Sequence, residues 1–404
     1  MQQGARFAAI EEILQEVFKD ELPADKIIND YTRARKYIGS KDRRFIIDWV
    51  WKIIRNRLKL QFDSANTTSR RVLLYACKDM LEEIFDASEH GLAPLSVEEK
   101  EWLKIENNQP YPDYIEAECP EWLFKKIGNI DFCKALNCEA TTDIRVHGIT
   151  REELKDKLQK EGIDTEFGFY SPYCLKINDR LVLNNCIAWQ EGYMDVQDEA
   201  SQIAALMIDA NVEHKIVDYC CGAGGKSLAL SNILHGKGKI LAYDIDSNRL
   251  ENLKPRMKRL NVNNIEMTDI IADSDKNFDR FILDAPCSGS GTWRRSPDAK
   301  FRLTEEKLHG LTKIQANLLE IAASKTAIDG RIIYITCSVL REENENVITE
   351  FLKKNRNYSL LNIHDLWQQK IKMPYPCADE CFLRMSPYTT QTDGFTVCVL
   401  RRDY

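Results

Sequence analysis

The sequence predicts an α/β chain whose C-terminal half is a doubly wound, mostly parallel sheet, and three observations carry that prediction. From about residue 201, short apolar runs alternate with amphipathic stretches, the pattern of strands separated by covering helices. The first run, Ile216-Val217-Asp218-Tyr219, opens into the glycine-rich turn Cys220-Cys221-Gly222-Ala223-Gly224-Gly225-Lys226. Successive runs then end on polar or thiol side chains, where ligands gather in open parallel sheets.

A helix is expected to follow the turn through Leu230. The second strand covers 240–243 and ends at Asp244. Ser247 is placed to cap the next helix, whose apolar face carries Leu250, Leu253, Met257 and Leu260. A third strand, 265–268, stops at Asp269, and a fourth, 281–283, runs into Asp284-Ala285-Pro286-Cys287. A long helix from Glu305 ends near Asp329-Gly330, and a fifth strand, 332–335, leads to Thr336-Cys337-Ser338.

Ahead of this domain, residues 1–130 read as helical. Apolar side chains recur at helical intervals in Phe7, Ile10, Leu14 and Phe18, in Phe45, Trp49, Val50 and Ile53, and in Val72, Tyr75, Cys77 and Met80. Such stripes belong to a helix-bundle core. Residues 131–200 read as a small α+β segment, with strands at 143–147, 175–177 and 181–183 and a helix at 152–160. Three domains result, 1–130, 131–200 and 201–404, in keeping with a chain too long for one typical core.

The 404 residues are 44% hydrophobic and carry a net charge of −7. No apolar stretch approaches the roughly 18 residues a membrane-spanning helix needs. Arg6, Glu11, Glu12 and Glu16 occupy the place of a signal peptide's apolar centre, so a cytoplasmic monomer with no membrane partner is expected. The thirteen cysteines lack the spacing of a disulfide scaffold or of paired zinc ligands, so reduced thiols and no metal are expected. The acidic balance disfavours a simple basic nucleic-acid binder. Local clusters such as Arg43-Arg44, Arg70-Arg71 and Arg294-Arg295 nevertheless leave room for phosphate contacts.

The glycine-rich turn lets the backbone approach a ligand at a helix start, where amide groups are free. Asp244, about twenty residues on, fits an acid gripping ribose hydroxyls. The dinucleotide fingerprint is not met, because Ser227 stands three positions after Gly224. These features call for a nucleoside-containing cofactor, nicotinamide or adenosylmethionine. Cys287 and Cys337, at neighbouring strand ends, favour the second. C5 of cytosine is a poor nucleophile until a thiolate adds at C6 and makes C5 enamine-like, which is covalent catalysis by an activated cysteine. A second thiol then suits release. Helix starts and Lys226 are expected to lower a thiol pKa here.

These stretches resemble the RsmB-like and Nol/Nop/Sun-type RNA cytosine-C5 methyltransferases. The likeness is carried by 218–226, Asp244-Ile245-Asp246, Asp284-Ala285-Pro286-Cys287-Ser288-Gly289-Ser290-Gly291-Thr292, Thr336-Cys337-Ser338 and the lead-in Gln197-Asp198-Glu199-Ala200-Ser201-Gln202. It is strong from about 190 to 350 and implies a Rossmann-like class I methyltransferase domain using S-adenosyl-L-methionine. By resemblance Cys337 is the nucleophile and Cys287 the release cysteine. Chemistry alone leaves that order open, since DNA cytosine methyltransferases attack from a Pro-Cys motif. The resemblance also implies that Cys220, Cys221, Gly222, Ala223, Gly224, Gly225, Lys226, Asp244, Asp269 and Asp284 bind the cofactor. Asp284 would also reach the base, and Arg294 and Arg295 would lie beside RNA. The family turn reads Cys-Ala-Ala-Pro-Gly-Gly-Lys, so the proline is lost here, which loosens the turn. Residues 42–45 and 49–57 resemble a NusB-like RNA-binding domain, implying ribosomal RNA, 16S, as substrate. A non-catalytic RNA-binding factor and a nicotinamide oxidoreductase are the competing readings.

Overall fold

The structure, a computed structural model, describes residues 1–85, 89–104, 107, 109–177, 181–272 and 277–404. It divides into two units: Met1–Cys138 with Trp293–Thr304, and Glu139–Thr292 with Glu305–Tyr404. The small α+β segment is therefore joined to the large sheet from residue 139. Residues 293–304, expected in the C-terminal domain, belong with the helices.

In the helical unit the first stripe forms the helix Gln3–Val17, which buries Phe7, Ile10 and Leu14. The helix Ser40–Arg55 turns Ile46, Val50, Ile53 and Ile54 inward. Phe45 and Trp49, expected in the core, are partly buried and meet Phe7 edge-on at 5.7 and 5.1 Å. The third stripe forms the helix Ser69–Ala76, which contributes Val72, Leu73 and Leu74 and ends before Met80, which closes a short 3-10 turn. Each such aliphatic side chain contributes roughly 1.5–3 kcal/mol on burial.

Residues 293–304 are fastened to these helices by named bonds. Arg55 Nη2 donates to the Arg294 carbonyl at 2.6 Å, and the Ala24 N–H donates to Asp298 Oδ2 at 3.0 Å. Lys300 Nζ donates to Asn137 Oδ1 at 2.8 Å. Burial pushes the Lys300 ammonium down to about 8 and the nearby Glu118 carboxyl up to about 7.

The second unit contains two sheets. The smaller has β1 (Thr142–Val146), β2 (Glu166–Phe167), β3 (Cys174–Ile177) and β4 (Met194–Val196), antiparallel in the order β2-β3-β1-β4. The helix Arg151–Lys160 starts on a Thr150/Glu153 capping box. Its Leu154 and Leu158 join Ile144, Val146 and Leu175 in the core of this segment. The strand expected at 181–183 does not form. The Asn185 N–H closes on the Val182 carbonyl at 2.9 Å, making the 3-10 turn Leu183–Asn185, so that carbonyl is engaged locally rather than in a ladder.

The larger sheet has β5 (Lys215–Asp218), β6 (Lys239–Tyr243), β7 (Ile265–Thr268), β8 (Phe278–Asp284), β9 (Thr326–Thr336), β10 (Tyr358–Leu360), β11 (Leu383–Met385) and β12 (Phe395–Arg402). Its order is β10-β12-β9-β8-β5-β6-β7, with β11 also pairing β12. Strands β5 to β9 run parallel, and β12 returns antiparallel against β9. The chain steps from β5 outward to β6 and β7, then crosses to β8 on the other side of β5. That reversal creates a crevice at the carboxyl ends of β5 and β8, the general ligand position of such sheets.

Two boundaries differ from the sequence expectation. The long helix ends at Lys325 and β9 begins at Thr326. Asp246, not Ser247, caps the helix after β6 by accepting the Asn248 N–H at 3.0 Å.

Candidate active site

The crevice is a cavity of about 640 Å³ whose wall includes Cys220, Cys221, Gly222, Ala223, Cys287 and Cys337. Asp244 and Asp284 also line it, and Ile245, Ile314, Leu318 and Ile321 add apolar surface. The helix Glu305–Lys325 supplies the last three. Asp269 is exposed at the end of β7 and does not line this wall.

The turn after β5 is built for close approach. The Gly222 N–H donates to Asp244 Oδ2 at 2.7 Å, and the Asp246 N–H donates to Asp244 Oδ1 at 2.9 Å. Asp244 therefore braces the turn from the end of β6. Gly224 has φ +76°, and a Cβ there would lie 2.3 Å from Leu253 Cδ1, so a side chain is excluded by both backbone and space. The turn is braced a second time. Arg256 Nη1 donates to the Ala223 carbonyl at 2.6 Å while its Nη2 pairs with buried Asp195. Nothing in the sequence marked Arg256 for this task.

At the crossover, Lys226 Nζ donates to Asp284 Oδ2 at 2.6 Å, the lysine side chain 6% exposed and the aspartate 31%. The lysine expected to lower a thiol pKa is thus engaged by a carboxylate. Asp218, below the turn, is fully buried and accepts the Ser227 hydroxyl at 2.6 Å. Burial pushes its carboxyl up to about 7, with Asp284 and Asp244 adding to the rise.

Cys287 and Cys337 come together because β8 and β9 are parallel neighbours in register, with Asp284 opposite Ile335. Their Sγ atoms lie 3.3 Å apart, and both residues are half-buried. Contact with the Cys337 sulfur, burial, and the Cys337 and Glu343 charges push the Cys287 thiol well above its ordinary value. This is the reverse of the lowering expected from sequence. The Gly291 N–H donates to the Cys337 carbonyl at 3.0 Å and the Gly394 N–H to the Gly291 carbonyl at 2.8 Å. A Cβ on Gly291 would stand 2.0 Å from the Gly394 carbonyl oxygen. The last glycine of Ser288-Gly289-Ser290-Gly291 therefore lets two backbones meet beside the second cysteine.

The two arginines expected beside RNA differ in placement. Arg294 is 5% exposed within the helical unit, whereas Arg295 is exposed. Only Arg295 has its side chain at the surface, because the Arg294 backbone is drawn in by Arg55 and the adjoining Trp293 is buried.

A parallel sheet in this order, with a cavity running from an acid at the end of β6 to residues at the end of β8, defines the Rossmann-like methyltransferase fold. Residues 205–401 match the family model of 16S rRNA methyltransferases RsmB/F. The probable ribosomal RNA small subunit methyltransferase B of Bacillus subtilis is 28% identical over 308 residues, covering 71% of this chain and 67% of that one. The ribosomal RNA small subunit methyltransferase B of Photorhabdus laumondii is 31% identical over 254 residues, covering 60% and 59%. The matched stretch thus spans about three-fifths to two-thirds of these relatives. Among solved structures, PH0851 superposes with a TM-score of 0.78 over 98% of each chain at 22% identity. NSun6 from Pyrococcus horikoshii with SFG gives 0.62 over 70% of this chain and 97% of that one, at 19% identity. Among the described residues no helix is long and apolar enough to cross a membrane.

Proposed function

We propose that this chain transfers a methyl group from S-adenosyl-L-methionine to C5 of a cytosine in small-subunit ribosomal RNA through a covalent cysteine adduct. The carrying observation is the 3.3 Å separation of Cys287 and Cys337 in the wall of a cavity that also contains Asp244. The curated relatives are named for ribosomal RNA methylation, which supplies the substrate class. The SFG bound by one structural neighbour is an adenosylmethionine analogue, which supports the cofactor.

The wall fits that cofactor. Asp244 lies where ribose hydroxyls need an acceptor, the turn residues 220–223 offer close backbone approach, and Ile245 and Leu318 offer apolar faces to a purine. The cofactor, when bound, supplies an electrophilic methyl group.

The chain's own residues do the rest. The Cys337 thiolate adds to C6 of the cytosine, forming an S–C6 bond and moving the C5–C6 π electrons toward C5. C5 takes the methyl group as the methyl's bond to the donor sulfur breaks and its electron pair stays on that sulfur, a base accepts the C5 proton, and the S–C6 electrons return to Cys337 as the double bond re-forms. Cys287 assists this release. Asp284, held by Lys226, faces the same space and is positioned to orient the base. The target cytosine must be unstacked to reach these groups. Arg295 and the helical unit are the proposed RNA contacts, and the chain is proposed to act as a cytoplasmic monomer.

Incubation with labelled adenosylmethionine and unmodified 16S ribosomal RNA tests the reading, with 5-methylcytosine as the expected product. Bisulfite mapping of RNA from cells with and without the protein locates the position. Absence of 5-methylcytosine from both overturns it.

A further inference from the structure

Behind the two cysteine loops lies a carboxylate that the sequence pattern did not single out. Glu343 is 0% exposed. Its Oε1 accepts the Ser288 backbone N–H at 2.8 Å and Gln315 Nε2 at 3.0 Å. Its Oε2 accepts the hydroxyls of Ser288 and Ser338, both at 2.5 Å. Ser288 follows Cys287 and Ser338 follows Cys337, so one carboxyl group ties together the residues next to both thiols. Gln315 reinforces the tie, since the same Nε2 also donates to the Pro286 carbonyl at 3.0 Å.

The backbone that carries it is itself held. The Tyr334 hydroxyl donates to the Glu343 carbonyl at 2.6 Å, and Asn344 Nδ2 donates to the carbonyls of Ser338 and Leu340 at 3.1 and 2.8 Å. Four donors converge on two oxygens, a pattern that suits the anion, which is an acceptor only. A fixed negative charge at this place opposes formation of a second negative charge on the neighbouring thiol. Its effect falls on Cys287, whose thiol is held up by the Cys337 contact, by burial and by the charges of Cys337 and Glu343.

We propose that Glu343 is the positioning residue of the two-thiol centre, its carboxylate holding the sulfur atoms in register and, by its charge, reserving Cys287 as the proton-bearing partner of Cys337. This rests on the roles proposed above for the two cysteines. A purely structural brace would share the first property and not the second.

The test uses the full-length chain without RNA, so it remains readable if the proposed methylation fails. Alkylation of Cys287 and Cys337 by iodoacetamide is followed from pH 6 to 10 by peptide mass spectrometry. In Glu343→Gln, which keeps the side-chain size and removes the charge, the Cys287 profile is expected to move to lower pH by about one unit. An unchanged Cys287 profile in folded Glu343→Gln overturns the proposal. The second measurement is protection of both cysteines by phenylarsine oxide, which bridges two adjacent thiols. The double variant S288A/S338A keeps the charge and removes both hydroxyl donors. It is expected to need at least roughly tenfold more arsenical for the same protection, because two hydrogen bonds to the carboxylate are lost. Protection equal to that of the unaltered chain overturns the proposal. That arm stands alone if Glu343→Gln fails to fold.

Discussion

The sulfur atoms of Cys287 and Cys337 lie 3.3 Å apart although 50 residues separate them in the chain. The parallel pairing of β8 with β9 is what brings them together. If Cys337 attacks C6 and Cys287 assists release, removing each thiol stops the reaction at a different stage. Cys337→Ala is expected to lower turnover by roughly three orders of magnitude or more and to form no adduct. Cys287→Ser is expected to accumulate a protein–RNA adduct that survives denaturing electrophoresis. An adduct formed by Cys337→Ala would reverse the two assignments.

Gly291 lets the loop after Cys287 meet the segment at Gly394, and a Cβ there would sit 2.0 Å from a backbone oxygen. Backbone on both sides must shift to admit it. Gly291→Ala is therefore expected to lose roughly 2–3 kcal/mol of stability and to lower the melting temperature, with activity falling alongside. A melting temperature within a degree or so of the unaltered protein would show that the two loops move apart freely.

Arg256 braces the cofactor turn through the Ala223 carbonyl. Arg256→Ala removes a charge-assisted hydrogen bond from the turn and leaves the cysteines untouched. Affinity for adenosylmethionine, read by calorimetry, is expected to fall about tenfold, with kcat at saturating cofactor nearly unchanged. Unaltered affinity would mean that the turn holds its shape without the arginine.

The buried Asp218 carboxyl is pushed up to about 7 from an ordinary value of 3.8. The folded protein thus binds this proton more tightly than the unfolded chain. The resulting stabilisation is complete below the ordinary carboxylate range and is lost as pH rises through about 7, at up to roughly 1.4 kcal/mol per pH unit. Asp218→Asn, which can still accept the Ser227 hydroxyl, should flatten the fall in melting temperature between pH 5 and 8. An equally steep profile in the variant would place the pH dependence elsewhere.

Much of the site was legible because a parallel sheet collects its functional groups at strand ends, and strand ends can be found from local patterns. The glycine-rich turn, Asp244, Asp284 and both cysteines sit where the apolar runs stop. Glu343 escaped because Arg341-Glu342-Glu343-Asn344-Glu345 has the composition of a solvated run. Its burial depends on Ser288, Ser338 and Gln315 arriving from other parts of the chain. Arg294 misled for a related reason: its charge pattern matched a surface cluster, while its neighbours Trp293 and Lys300 drew the segment into the helical unit.

By itself, the sequence determined the alternation of strands and helices, the turn at 220–226 and the two thiol motifs, because periodicity and glycine placement act over a few residues. Only the tertiary structure decided that the thiols touch, that Lys226 is paired with Asp284, that Arg256 braces the turn at Ala223, and that residues 293–304 leave the sheet for the helices. Each of these depends on which distant groups a side chain meets when water is excluded. Local sequence does not encode that choice.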